Sequence, residues 1–210
     1  MVASVDYRLA VDRVHFPVPH DDVHAAYLWA VDGAGLPAGA PWTLGGASAG
    51  ANLSLGVAQR LRDEGGSVPA GLLLAYPVVH FEVPAASPEL ERIMTIMPGL
   101  LRFTPDGRLA VNANYLGGLP PHAPYAFPGM GRLDSLPRTL VMTCEFDDLR
   151  PSGERLVADL RRAHVEVVDD LVEGAPHGHL NIAGLPSALA SIDRLAAFAA
   201  DGPAQDAAAG

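Results

Sequence analysis

The stretch Gly46-Ala47-Ser48-Ala49-Gly50 constrains this chain more than any other. It follows an apolar run, Trp42-Thr43-Leu44, and precedes a helix-like segment from Ala51 to Glu64. Strand, G-x-S-x-G and helix in that order form a nucleophile elbow. The turn is so sharp that side chains beside its apex would meet the neighbouring backbone. Glycines two before and two after the serine relieve that crowding, because they carry no Cβ. The serine hydroxyl then stands clear of the sheet at a helix N-terminus, where backbone N–H groups stabilise negative charge.

The rest of the chain fits a parallel α/β sheet, with apolar runs alternating with helical patterns and no internal repeat. Candidate strands are Val2 to Tyr7, Trp42 to Gly45, Gly71 to Val79, Thr139 to Phe146 and Val165 to Val172. The third and fourth are nearly unbroken apolar runs, as strands covered on both faces require. Helical stripes are Val23, Ala26, Tyr27, Ala30 and Val31; Leu53, Val57 and Leu61; Leu156, Leu160 and Ala163; and Leu185, Leu189, Ile192, Leu195 and Ala199. All are read as core packing.

One region breaks the alternation. Residues 81–132 are rich in Pro and Gly and hold two capped helix starts, Ser87-Pro88 and Thr104-Pro105. An insertion after a strand often forms a lid. Leu90, Ile93, Met94, Met97 and Leu100 are then candidates for an acyl pocket, or for packing the insertion on the body. The organisation expected is one domain over residues 1–200 with a helical cap at about 81–132, and a frayed tail from Asp201 to Gly210.

A serine needs a base, and the base needs an orienting carboxylate. Behind an elbow of this kind the chain order is Ser, then Asp or Glu, then His. The fourth strand leads into Glu145-Phe146-Asp147-Asp148. The fifth leads into Gly174-Ala175-Pro176-His177-Gly178-His179. Both clusters follow strands, at the edge where sites of parallel sheets collect. The residues alone leave Asp147 or Asp148, and His177 or His179, open.

Other signals point elsewhere and weigh less. His20 and His24 sit at i and i+4, as in zinc-binding helices, but no third ligand is near in sequence. Gly45 to Gly50 lacks the Lys-Ser/Thr of a triphosphate loop, and Ala47 stands where a dinucleotide loop needs glycine. Asn52-Leu53-Ser54 matches a glycosylation sequon too close to the elbow for a glycan. The 210 residues are 49% hydrophobic, with a net charge of -10, which argues against nucleic-acid binding. Cys144 is the one cysteine, so no internal disulfide forms, and it reads as a small apolar strand residue. No apolar run reaches the length of a membrane span, and no signal peptide is recognised. The expectation is a cytoplasmic protein without metal or organic cofactor; homo-oligomerisation is left open.

Several segments together resemble the hormone-sensitive-lipase branch of α/β-hydrolases, a group of bacterial carboxylesterases. They are Val5-Asp6-Tyr7-Arg8-Leu9-Ala10, Phe16-Pro17 with Asp21-Asp22-Val23, Gly45 to Leu53, Tyr76-Pro77, Glu145 to Arg150 with Gly153-Glu154, and His177 to Asn181. The resemblance runs from about Val2 to about Ala199. It implies Ser48 as nucleophile, Asp147 as acid, His177 as base and the Ala49 backbone N–H as oxyanion donor. The implied function is cleavage of small carboxylic esters through an acyl-enzyme on Ser48. The alternatives are an impaired fragment, a binding protein on the same scaffold, or a hydrolase of amides, thioesters or lactones.

Two departures stand out. Ala47 occupies the place of the family's Asp. The family's His-Gly-Gly oxyanion motif, and the strand leading into it, precede the segment where this chain starts, so an N-terminally truncated sheet is expected. In the family that strand lies between those matching Val2 to Tyr7 and the elbow strand, so its absence leaves a slot of ~9.6 Å. Either Val2 to Tyr7 slides over to pair with the elbow strand, or two edges stand open. Loss of an oxyanion donor costs ~10² to 10³ in turnover, so a version extended upstream is expected to be more active.

Overall fold

The computed structural model describes residues 1–33 and 41–201. Four strands form one parallel sheet in the order β1 (Thr43–Ala47), β2 (Gly71–Ala75), β3 (Thr139–Phe146), β4 (Val167–Pro176). The helices are α1 (Val18–Gly33), α2 (Ala49–Asp63), α3 (Pro88–Met94), α4 (Pro105–Leu116), α5 (Arg150–Arg162) and α6 (Pro186–Ala200). The unbroken apolar runs are the central strands β2 and β3, buried along nearly their whole length.

The period of two along a strand decides which side each residue serves. Leu72 and Leu74 of β2 and Val141 of β3 join Leu55 of α2 and Leu156 and Leu160 of α5 on one face. Their neighbours Ala75, Leu140, Met142 and Cys144 join Val172 of β4 and Phe198 of α6 on the other. Each leucine buried in this way contributes about 1.5–3 kcal/mol. A further cluster, with Val23 and Tyr27 of α1 against Leu53, Val57 and Leu61, packs α1 on α2.

Three expectations need correction. Val2 to Tyr7 is not a strand and pairs with nothing in the sheet, so β1 is an edge among the described residues. Strand geometry needs a neighbour's ladder, and the chain just beyond this segment is instead held by side chains. Arg8 donates from Nε and Nη2 to the Asp22 carboxylate at 2.9 and 2.7 Å, and Asn114 Nδ2 donates to the Ala10 carbonyl at 2.7 Å. The stripe expected in the last helix is turned. Ala188, Ser191 and Phe198 are buried, whereas Leu189 and Ile192 are about half exposed. Burial of Ser191 follows from a polar partner, His179, which a hydrophobicity count does not register. The third correction concerns the acyl-pocket candidates, treated below. The expected tail, apart from Asp201, lies outside the described residues.

In residues 81–132, Ser87 and Thr104 cap their helices, accepting from the N–H groups of Leu90 and Gly107. Asn52 Nδ2, buried on α2, donates to the Ala126 carbonyl, and Gln59 Nε2 donates to those of Pro128 and Arg132. These buried bonds anchor the end of the segment to the helix behind the elbow, and they occupy the asparagine of the sequon.

Candidate active site

Ser48 sits between β1 and α2 with φ 54° and ψ -114°, a conformation rare for a residue with a side chain. Its N–H donates to the Ala75 carbonyl at 2.8 Å, fastening the turn to β2. A Cβ on Gly46 would lie 2.4 Å from the Gly50 carbonyl carbon and 2.5 Å from its oxygen. Space around Gly50 itself is open, with nothing within 4 Å of an added Cβ. The crowding of the elbow thus falls on the glycine before the serine; the one after it contributes only its backbone. Ala49 begins α2, where first-turn N–H groups have no intrahelical acceptor and the helix dipole is positive.

The sheet brings the three distant residues together. Ser48, Asp147 and His177 follow β1, β3 and β4 respectively, all at the C-terminal edge. Ser48 Oγ is 2.9 Å from His177 Nε2, and His177 Nδ1 is 2.7 Å from Asp147 Oδ2. Asp147 is buried, and its Oδ1 accepts the Leu149 N–H at 2.8 Å. That bond leaves Oδ2 aimed at the imidazole. With Nδ1 donating to a carboxylate, Nε2 is left to accept the serine proton.

The rival residues have other partners. Asp148 points away from His177 and pairs with Arg102 at 2.8 Å. His179 is fully buried between Cys144 Sγ at 3.3 Å and Ser191 Oγ at 2.9 Å. Burial lowers its pKa and raises that of the Cys144 thiol. Both side chains belong to the core under the site. His20 and His24 stack ring on ring, and His20 also packs on Phe16 and Tyr125. Among the described residues no group of three or more His, Cys, Asp or Glu is placed to hold a metal ion.

Two aromatic edges hold the His177 ring. Tyr76 contributes one at 4.8 Å between centroids and Phe103 the other at 5.0 Å, both near perpendicular. Burial pushes the Tyr76 phenol up to about 12, so it stays neutral beside the imidazole. Neither contact has a local signature, since each joins residues scores of positions apart.

The serine opens into a cavity of about 430 Å³. Its walls come from the N-terminal segment (Tyr7, Leu9), from α4 (Val111, Tyr115) and from Phe103 and Phe127. Leu90, Ile93, Met94, Met97 and Leu100 are not among them. Leu90 and Met94 are buried elsewhere, α3 packs against β3, and Leu100 is exposed. A seven-residue helix has one apolar face, and that face is spent on the body. No helix among the described residues is long and apolar enough to cross a membrane.

Residues 1–181 match the alpha/beta hydrolase fold family. Carboxylic ester hydrolase LipN of Mycobacterium tuberculosis is 32% identical over 191 residues, covering 86% of this chain and 49% of the relative. Arylacetamide deacetylase of Bos taurus is 29% identical over 240 residues, covering 86% and 60%. An esterase of the bacterial hormone-sensitive lipase family has a similar solved structure, with TM-score 0.81 and 28% identity over 93% of this chain and 64% of that one. An esterase from Pyrobaculum calidifontis gives TM-score 0.79 and 30% identity over the same shares, 93% and 64%. The chain spans about half to two thirds of the length of these proteins. By its fold and by the extent of the family match, this chain belongs to the alpha/beta hydrolase fold family, on its hormone-sensitive-lipase-like branch.

Proposed function

We propose that the chain carries a serine carboxylesterase site that cleaves small esters through an acyl-enzyme on Ser48. The observation that supports this best is the continuous hydrogen-bonded line from Ser48 Oγ through His177 to Asp147, at the mouth of a largely apolar-walled cavity. Ser48 Oγ attacks the ester carbonyl carbon as His177 Nε2 takes the hydroxyl proton. The oxyanion of the tetrahedral intermediate accepts the Ala49 N–H. Collapse breaks the bond to the alkoxy oxygen, which leaves as alcohol with the proton from His177. Water then attacks the acyl-enzyme with His177 again as base, and the carboxylic acid departs. Asp147 keeps the imidazole in its tautomer and stabilises the imidazolium.

The named activities of the relatives, ester hydrolase and deacetylase, agree with an acyl-transfer site. The volume and apolar lining of the cavity suit a small-molecule ester. The test is hydrolysis of p-nitrophenyl acetate and butyrate by the purified chain, with covalent capture by a fluorophosphonate. Turnover and a single label on Ser48, both lost in Ser48→Ala, are expected. A folded chain that neither turns over nor labels refutes the reading.

A further inference from the structure

Asp148, next in sequence to the acid of the proposed triad, has its own task. Its carboxylate accepts from Arg102 Nε at 2.8 Å and Nη2 at 2.9 Å, and from the Phe103 N–H at 2.9 Å. Its backbone carbonyl accepts from Arg108 Nη1 at 2.9 Å. Arg102 spends its remaining arm on the Met94 carbonyl at 2.7 Å. Five bonds from one residue and its partner thus gather the end of α3, the residues before α4 and the first turn of α4 onto the loop after β3.

The geometry is specific. A bidentate arginine–carboxylate pair fixes orientation as well as distance. The pair is partly sheltered, with the Asp148 side chain 12% and that of Arg102 35% exposed. The Phe103 N–H bond lies on the same carboxylate oxygen as Arg102 Nε, so backbone and side chain of the 102–103 pair are set together. Phe103 is 41% exposed and meets the His177 ring in a T-shaped contact, with its backbone N–H held by the clasp.

We propose that Asp148 is a positioning residue: through Arg102 it clasps the segment 94–108 to the acid loop and keeps Phe103 against His177, so that the imidazole stays between Ser48 and Asp147. The proposal rests on the serine hydrolase reading above. Asp148 touches neither substrate nor reacting atoms. Its effect appears chiefly in the step that needs the imidazole in place; because Arg102 and Phe103 also wall the cavity, a smaller change in affinity accompanies it.

Fluorophosphonate labelling separates the two. In that reaction Ser48 Oγ bonds to phosphorus, the P–F bond breaks, the serine proton passes to His177 and fluoride leaves. Measured against reagent concentration, it yields a first-order constant, kinact, and an apparent affinity, KI. Asp148→Ala is expected to lower kinact on the order of tenfold, since a small displacement of a reacting group is costly, with a smaller change in KI. Arg102→Gln should do the same, and the double variant should be no worse than either single one. Asp148→Asn keeps an acceptor for the Phe103 N–H and should recover part of the loss. Amide hydrogen exchange over residues 94–108 should quicken in Asp148→Ala. In Phe103→Ala, exchange over residues 94–101 should stay as in the unsubstituted chain while kinact falls.

If Asp148→Ala labels as fast as the unsubstituted chain, or loses only affinity, the positioning role is wrong. Should that variant fail to fold, Asp148→Asn and Arg102→Gln carry the same test. No label on the unsubstituted chain refutes the hydrolase reading, and this role with it. A labelled chain indifferent to the clasp refutes this role alone.

Discussion

Replacing Gly46 by alanine tests the elbow more severely than replacing the serine, because it adds one methyl group and removes no chemistry. That methyl would sit 2.4 Å from the Gly50 carbon, 2.5 Å from its oxygen and 2.9 Å from the Ala51 nitrogen. Carbon atoms prefer ~3.5–4.0 Å, so the overlap exceeds about 1 Å. Its partners are backbone atoms in the first turn of α2, which cannot rotate away as a side chain would. Overpacking costs ~1–3 kcal/mol where side chains yield, and backbone contact places this site at the upper end. A loss of about 3 kcal/mol lowers Tm by ~6–12 °C in a chain of this size. Relief by opening the turn about 1 Å would lengthen the 2.9 Å contact between Ser48 and His177, and a 1 Å misplacement costs ~10²-fold in turnover. Gly50→Ala is the control. Its Cβ meets nothing within 4 Å, and a helical alanine gains ~0.5–1 kcal/mol over glycine. Thermal melts by circular dichroism and p-nitrophenyl butyrate turnover measure both variants. Gly46→Ala with unchanged Tm and rate, or Gly50→Ala as damaging as Gly46→Ala, would refute the reasoning.

Three further outcomes concern Asp147, His179 and His80. Asp147→Asn should lower kcat by ~10⁴ with little change in Tm, as loss of the orienting carboxylate does in a serine triad; steady-state ester kinetics check it. His179→Ala should cost ~2–4 kcal/mol in urea unfolding, because it empties a core position and removes the partner of the Cys144 thiol and one of the partners of Ser191. The folded fraction should still label at Ser48. His80 is buried with Nδ1 2.9 Å from the Ser152 hydroxyl oxygen, and burial lowers its pKa to about 4. The unfolded imidazole takes its proton near pH ~6.5, so stability should fall as pH drops below that value and level out near 4, by about 3 kcal/mol in all. Urea melts at pH 7 and pH 5 should therefore differ less in His80→Gln than in the unsubstituted chain.

Much of the scaffold was readable because it depends on local chemistry. Leu72 to Ala75 and, Thr143 apart, Leu140 to Cys144 are apolar at successive positions, as a strand covered on both faces requires, and both are central strands. The Val23, Ala26, Tyr27 pattern falls on α1, and the Ser87 and Thr104 caps begin α3 and α4 as their side chains dictate. Val2 to Tyr7 misled because its alternation suits a strand, while strand formation depends on a partner that no window of sequence contains. Leu189 and Ile192 misled for a related reason. Period alone cannot say which side of α6 meets the sheet once a buried His179 offers Ser191 a partner on another face.

Two pairs of neighbours mark the boundary between the two kinds of information. From residue order alone, a serine on a sharp strand-to-helix turn had to be followed by an acidic cluster and then a histidine cluster, each behind its own strand. Residue order and propensity could not choose within Asp147-Asp148 or between His177 and His179, because adjacent or near-adjacent residues share composition, propensity and strand; only the family resemblance pointed to Asp147 and His177. Tertiary structure separates them by direction. Asp147 faces the imidazole and Asp148 faces Arg102, while His177 meets Ser48 and His179 turns into the core. Successive side chains leave a backbone at different angles, and what each one meets is set by elements far away in the chain.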